Sequence, residues 1–193
     1  MDTKILLSLA ADVVFLFAYL PYFRDIFAKK THPHAYTWLI WTITQGIAAI
    51  GILYGGGNWG GYYLAAMTLF VAAIFILSLK FGTKNIAIGD TLILILCIVA
   101  ILIWWQLKQP LFAILLITAI DVFGYIPSIR KSYQEPWSET MISWIMFSIA
   151  NILGILALSK YNLMTTVYLS TIATCNIILF LVCYFRRKSI KSA

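Results

Sequence analysis

Tyr19-Leu20-Pro21-Tyr22-Phe23-Arg24 and Tyr125-Ile126-Pro127-Ser128-Ile129-Arg130 are two versions of one phrase, set 106 residues apart. The same offset carries Trp38 onto Trp144 and Gln45 onto Asn151 without a gap, and Tyr62 onto Tyr168 in the following segment. A repeat longer than fifty residues in so apolar a chain predicts a membrane protein of two similar halves. Substrate sites in such proteins lie where the halves meet.

Composition supports the membrane reading. The chain is 62% hydrophobic and 11% charged, against about 25% charged in a soluble domain, and its mean hydropathy is +0.92. Seven apolar stretches are visible, at 5–23, 36–54, 61–79, 86–105, 111–129, 141–158 and 164–185. Most approach the roughly 20 residues that a helix needs to cross the hydrocarbon core. The first is too long for a cleaved signal peptide and belongs to the repeat, so it counts as a helix.

The formal charge is +7, and its placement carries more than its size. Arg24, Lys29, Lys30, Lys80, Lys84, Arg130, Lys131, Arg186, Arg187, Lys188 and Lys191 fall on one side of the predicted helices, and Lys4, Lys108 and Lys160 on the other. The positive-inside rule then puts the amino terminus outside and the carboxy terminus in the cytoplasm. No segment is basic enough to predict a nucleic-acid partner. Cys97, Cys175 and Cys183 lie in apolar stretches, and their odd number argues against a disulfide framework.

Three helices per repeat is an odd number, so two repeats joined directly would point in opposite directions. The stretch 86–105 has no repeat mate and supplies one inversion helix. The expected fold is therefore all-α: seven transmembrane helices, as two parallel three-helix repeats (1–80 and 107–193) joined by a linker helix within 81–106. The second repeat ends in a basic cytoplasmic tail.

The phrase Tyr-x-Pro-x-x-Arg at the end of the first helix of each repeat resembles the PQ-loop and SWEET superfamily, with Tyr22 and Ser128 where that superfamily carries glutamine. The resemblance implies the three-one-three layout. It also implies the functions found there: sugar uniport, lysosomal amino-acid export, PnuC-type vitamin transport, or ligand binding without transport as in the KDEL receptor. Trp38-x-x-Trp41 is similar to the Trp-x-x-Trp of PnuC-type transporters, and Asn176 corresponds to a seventh-helix asparagine that SWEETs use for sugar.

Individual residues suggest the site. Asp12 and Asp121 lie deep in predicted helices, roughly 12 Å and 14 Å along the axis from the nearest basic residue. With no Lys or Arg in any helix interior, each is a candidate for proton coupling or for binding a cation. Asp90 lies closer to the interface. Trp38, Trp41 and Gln45 share a helix face, as do Trp144, Phe147 and Asn151. Trp38 and Trp144 are expected in the cytoplasmic aromatic belt. Trp41, Gln45, Phe147 and Asn151 lie deeper, with Asn176, as substrate-binding candidates; an aromatic shelf beside an amide suits a neutral polar ring. The amides could equally join helices.

Pro21 and Pro127 are hinge candidates, and Tyr62 and Tyr168 either gate the outer mouth or sit in the outer aromatic belt. His32 and His34, with no third ligand, make a poor metal site. A light-driven retinal protein is excluded by the absence of lysine from 164–185. No hydrolase motif suggests an enzyme.

The expected function is therefore transport of a small polar solute (a sugar, a nucleoside or vitamin, or an amino acid) by alternating access, facilitative or proton-coupled. A membrane receptor of the same fold is the alternative. The expected partners are the solute and the lipid bilayer, with no cofactor and no nucleic acid. The expected location is a bacterial inner (plasma) membrane. One chain holds both halves of the site, so oligomerisation is not required to complete it.

Overall fold

A computed structural model describes residues 2–105 and 109–191. Lys108, counted among the outer cations, and residue 106, the end of the expected linker segment, lie outside the described residues. Seven α-helices run in order: α1 (Thr3–Phe27), α2 (Ala35–Tyr54), α3 (Trp59–Phe81), α4 (Ile88–Trp105), α5 (Pro110–Gln134), α6 (Met141–Ala157) and α7 (Leu163–Lys191). One 3₁₀ turn, Pro136–Ser138, precedes α6, and the described residues include no strand.

Among the described residues, five helices are long and apolar enough to cross a membrane: α1, α2, α3, the Leu111–Gln134 part of α5 and the Leu163–Ile190 part of α7. The expectation of seven spans is thus met at five by length and composition. The other two are shorter. α4 has 18 residues and α6 has 17, about 26–27 Å of helix against a core of about 30 Å.

Several helices outrun their apolar stretches. Hydropathy marks where lipid ends, whereas a helix continues as long as its backbone bonds and ends are satisfied. The Asp2 carboxylate accepts from the Lys4 amide and so caps α1. Arg24 and Lys131 sit in the last turns of α1 and α5, where cations suit the exposed carbonyls. The basic end of α7 is tied down by Arg186, which donates to the Tyr133 carbonyl (2.9 Å), and by Arg187, which donates to that of Pro136 (2.9 Å). Pro21 and Pro127 lie inside α1 and α5, and both helices continue through them.

The bundle is apolar outside and partly polar inside, the order that lipid demands. Leu20, Leu69, Ile76 and Leu96 are exposed, while Thr37, Thr44, Asp121, Ser143, Asn151 and Asn176 are buried. α1 packs on α6 and α3; α5 packs on α2 and α7; α2 meets α3 and α6 meets α7. α4 lies against α5 and touches α2.

Two hydroxyl-to-carbonyl bonds fasten the main crossings. Thr37 Oγ1 donates to the Gly124 carbonyl across α2 and α5 (2.9 Å), and Ser143 Oγ donates to the Ala18 carbonyl across α6 and α1 (2.7 Å). The two bonds are 106 residues apart at both ends. Each needs a small residue at the accepting position so that the backbones can approach. A Cβ on Gly124 would stand 3.1 Å from Ile40 Cγ2 and 3.2 Å from Trp41 Nε1.

Gly124→Val should therefore lower stability by about 1–3 kcal/mol through overpacking, read as a drop in melting temperature in detergent. Gly89→Ala, where a Cβ meets nothing within 4 Å, should stay within about 0.5 kcal/mol of wild type. Equal responses at the two glycines would refute the close-approach account.

Candidate functional site

A cavity of about 30 Å³ lies at the centre of the bundle, room for about two waters. Six helices line it: α1 with Phe15 and Tyr19, α2 with Trp38, Trp41 and Gln45, α3 with Val71, α5 with Asp121 and Tyr125, α6 with Trp144, Phe147 and Asn151, and α7 with Tyr168, Ile172 and Asn176. Helical periodicity delivers these side chains. Spacings of three and four put Trp38, Trp41 and Gln45 on one stripe of α2, and Trp144, Phe147 and Asn151 on the matching stripe of α6. Asp121 and Tyr125, and likewise Tyr168, Ile172 and Asn176, are spaced by four.

Aromatic rings form most of the wall. Trp41 packs on Tyr125 (centroids 4.4 Å apart), Tyr19 on Phe147 (4.9 Å) and Trp38 on Trp41 (5.1 Å), while Trp144 reaches Trp41 (5.8 Å). Asp121 is buried among them and meets neutral partners. Its Oδ1 accepts from the Thr44 hydroxyl and from Tyr168 (3.3 Å), and its backbone carbonyl accepts from Trp41 Nε1 (3.3 Å).

The amides are partly engaged. Asn176 Oδ1 accepts from Tyr125 (2.8 Å), Asn151 Nδ2 donates to the Phe147 carbonyl (2.8 Å), and Gln45 Nε2 donates to that of Leu64 (3.4 Å). Such a wall can stack a flat or apolar body, bond it through amides, and offer it one carboxylate.

Seven of the sequence candidates meet here: Trp41, Gln45, Phe147, Asn151, Asn176, Asp121 and Tyr168. Four do not. Pro21 and Pro127 stand outside the lining. Asp12 is only partly buried on α1 and does not line the cavity, although its Oδ1 is enclosed without a hydrogen-bond partner among the described residues. Tyr62 is 55% exposed and packs on Trp59, so it faces away from the site while its mate Tyr168 is buried.

Trp38 and Trp144 correct an expectation in the other direction. Neither sits in a lipid-facing belt: both are buried, and both line the cavity.

Tyr19 and Tyr125 line the site as well, though the sequence presented them only as the first letters of the repeated phrase. Phe15 stands 106 residues before Asp121, and that register was the signal available for it. Tyr63, one residue after Tyr62, is the buried tyrosine of α3, and its hydroxyl reaches Asn151 Oδ1 at 3.5 Å.

Two ionic clusters occupy the basic end of the bundle. Lys131 and Glu139 form a fully buried ion pair. Glu139 Oε2 also accepts from Tyr22 (3.2 Å) and from the indole N–H of Trp144 (3.2 Å), which joins this cluster to the cavity wall. Lys131 Nζ donates further to the His32 carbonyl (2.7 Å).

In the second cluster Asp90, in the first turn of α4, is buried within the protein. It accepts from Arg130 (2.6 Å), from the Ala87 amide (2.8 Å) and from His34 Nε2 (3.2 Å). Burial lowers the His34 ring below its ordinary value. The Asp90 carboxylate opposes that shift, and Lys131 and Arg130 add to it. The geometry agrees, because His34 Nδ1 is buried without a partner among the described residues and a second ring proton would find no acceptor among them.

Comparison of the chain with family models, curated proteins and solved structures finds no match.

Glu139→Ala and Lys131→Met, each leaving one buried charge unpaired, should destabilise the protein by about 3–5 kcal/mol. The double variant Lys131→Met with Glu139→Gln should recover most of that loss, since Gln still accepts from Tyr22 and Trp144. Melting in detergent tests this, and additive losses would contradict it. His34 adds a pH effect. The unfolded ring takes a proton near 6.5 while the folded ring resists it, so stability present above that pH is lost as pH falls through it. The melting temperature should fall between about pH 7.5 and about pH 5.5, and fall less in His34→Gln.

Proposed function

We propose that this chain is a membrane transporter that moves a small polar solute by alternating access between two three-helix repeats. α1–α3 form the first repeat, α5–α7 the second, and α4 the inversion helix, with all seven helices crossing the bilayer, the amino terminus outside and the carboxy terminus in the cytoplasm. The reading includes membership of the PQ-loop and SWEET superfamily and residence in a bacterial inner membrane.

The observation that carries it is the central cavity, which draws matched stripes from α2 and α6 and its remaining wall from both ends of the chain. The packing set supports the repeats: shifting α1 on α6, α2 on α3 and α1 on α3 by one repeat yields α5 on α2, α6 on α7 and α5 on α7. The paired Thr37 and Ser143 bonds obey the same shift.

At about 30 Å³ the cavity holds water but not a sugar or a nucleoside. In this reading it is an occluded state. The Lys131–Glu139 pair, with Tyr22 and Trp144, closes the cytoplasmic end, and Pro21 and Pro127 are the flexible points as that end opens. Trp41, Gln45, Phe147, Asn151 and Asn176 hold the solute, Asp121 binds a proton or a cationic group, and Tyr168 positions Asp121.

Uptake into liposomes tests the proposal, with purified protein and a panel of sugars, nucleosides and amino acids, with and without an inward proton gradient. Wild type should accumulate or exchange at least one solute. Asp121→Asn should slow this by about tenfold, the size of one lost charged hydrogen bond, and Asp12→Asn should leave it nearly unchanged. Solute binding without counterflow would replace transport with the receptor reading.

A further inference from the structure

We propose that the central cavity is a site for an organic cation: a small solute with a protonated amine attached to a flat or apolar body. The inference rests on the cavity being the solute site of the preceding section, and it names the class of solute.

The lining contains one acid, Asp121, and no Lys, Arg or His. Among the described residues, the basic ones fall at the helix ends and in the loops. An anion entering here would meet a carboxylate and no counter-charge, so anions are disfavoured on electrostatic grounds alone.

The unused hydrogen-bonding atoms sharpen the choice. Asp121 Oδ1 already accepts two hydroxyls, from Thr44 and Tyr168. Its Oδ2 has no hydrogen-bond partner among the described residues, and neither has Gln45 Oε1, because Gln45 is engaged through Nε2. Both are acceptors. On the donor side, among the described residues, Asn176 Nδ2 and the Tyr19 hydroxyl have no hydrogen-bond partner, the Asn176 Oδ1 being taken by Tyr125. A polyol could use both donors, but it brings no charge to pair with the Asp121 carboxylate. An ammonium brings only donors and matches Asp121 Oδ2 and Gln45 Oε1.

The rings favour the same class. Trp38, Trp41 and Trp144 all line the cavity, and Trp faces are the strongest aromatic partners for a cation, more so when desolvated.

Binding to the purified full-length protein in detergent tests the proposal, read by quenching of tryptophan fluorescence and by thermal shift. The probes share one skeleton: tyramine as the cation, tyrosol as the neutral alcohol and 4-hydroxyphenylacetate as the anion, with glucose as a polyol. Tyramine should bind about tenfold or more tightly than the other three, the worth of one charge-assisted hydrogen bond. Asp121→Asn, checked for an intact melt, should bring tyramine and tyrosol to similar affinity. Gln45→Leu is an independent variant and should weaken tyramine about threefold, a neutral-bond loss, with less effect on tyrosol.

No quenching by tyramine, equal or tighter binding of tyrosol or glucose, or a cation preference that survives Asp121→Asn would each overturn the inference. Counterflow of tyramine in liposomes separates this from the transport reading. Selective binding without counterflow would retain the cation site and reject the carrier. Counterflow of a sugar with no cation preference would retain the carrier and reject the cation site.

Discussion

Helices in lipid gain little by hiding apolar surface from one another, because the tails around them are equally apolar. What brings them together is close packing and the few hydrogen bonds that can cross between them. In this bundle two such bonds, Thr37 to the Gly124 carbonyl and Ser143 to the Ala18 carbonyl, sit at the crossings of α2 with α5 and of α6 with α1. Both crossings join an early part of the chain to a late one. With these crossings in place the aromatic stripes of α2 and α6 meet, Trp41 reaching Trp144 at 5.8 Å, and α1, α3, α5 and α7 complete the wall of the cavity.

The interior is organised in two layers, an aromatic cavity and, toward the basic end, an ionic floor. Trp144 belongs to both: its ring lines the cavity, and its indole N–H bonds Glu139. Glu139 in turn holds Lys131 from the end of α5 and Tyr22 from α1. A displacement of the Trp144 ring therefore disturbs a fully buried ion pair directly, with no flexible loop in between. Coupling of that kind follows from shared atoms rather than from an assumed pathway.

Much of the fold was legible because periodicity and hydropathy are local. Each of the seven apolar stretches lies within or nearly matches a helix, and most errors concern ends where polar residues extend the helix past lipid, as at the basic end of α7. The site was legible where a stripe could be drawn on one helix: Trp41 with Gln45, and Phe147 with Asn151, reach the cavity as their spacing suggests. It was not legible where rotation about the helix axis decides. Tyr62 and Tyr63 differ by one position, and packing turns Tyr63 inward. Asp12 and Asp121 look alike as deep acids, but only Asp121 faces the aromatic wall. Asp90 gave no sign of its partners, since nothing local announces that Arg130 and His34 converge on it.

Positions 106 residues apart share much of their sequence and differ in chemistry at a few places. Position 15 is phenylalanine where position 121 is aspartate, and position 70 is phenylalanine where position 176 is asparagine. The same tyrosine accordingly stacks on Phe70 in one half (Tyr19, 5.2 Å) and donates to Asn176 in the other (Tyr125, 2.8 Å). On the proposed two-repeat reading, exchanging the halves would carry the Asp121 carboxylate to the place of Phe15, both of which line the cavity. A solute held as proposed would meet an acid on one wall and a ring on the other, so such a frame would give its occupant a head and a tail.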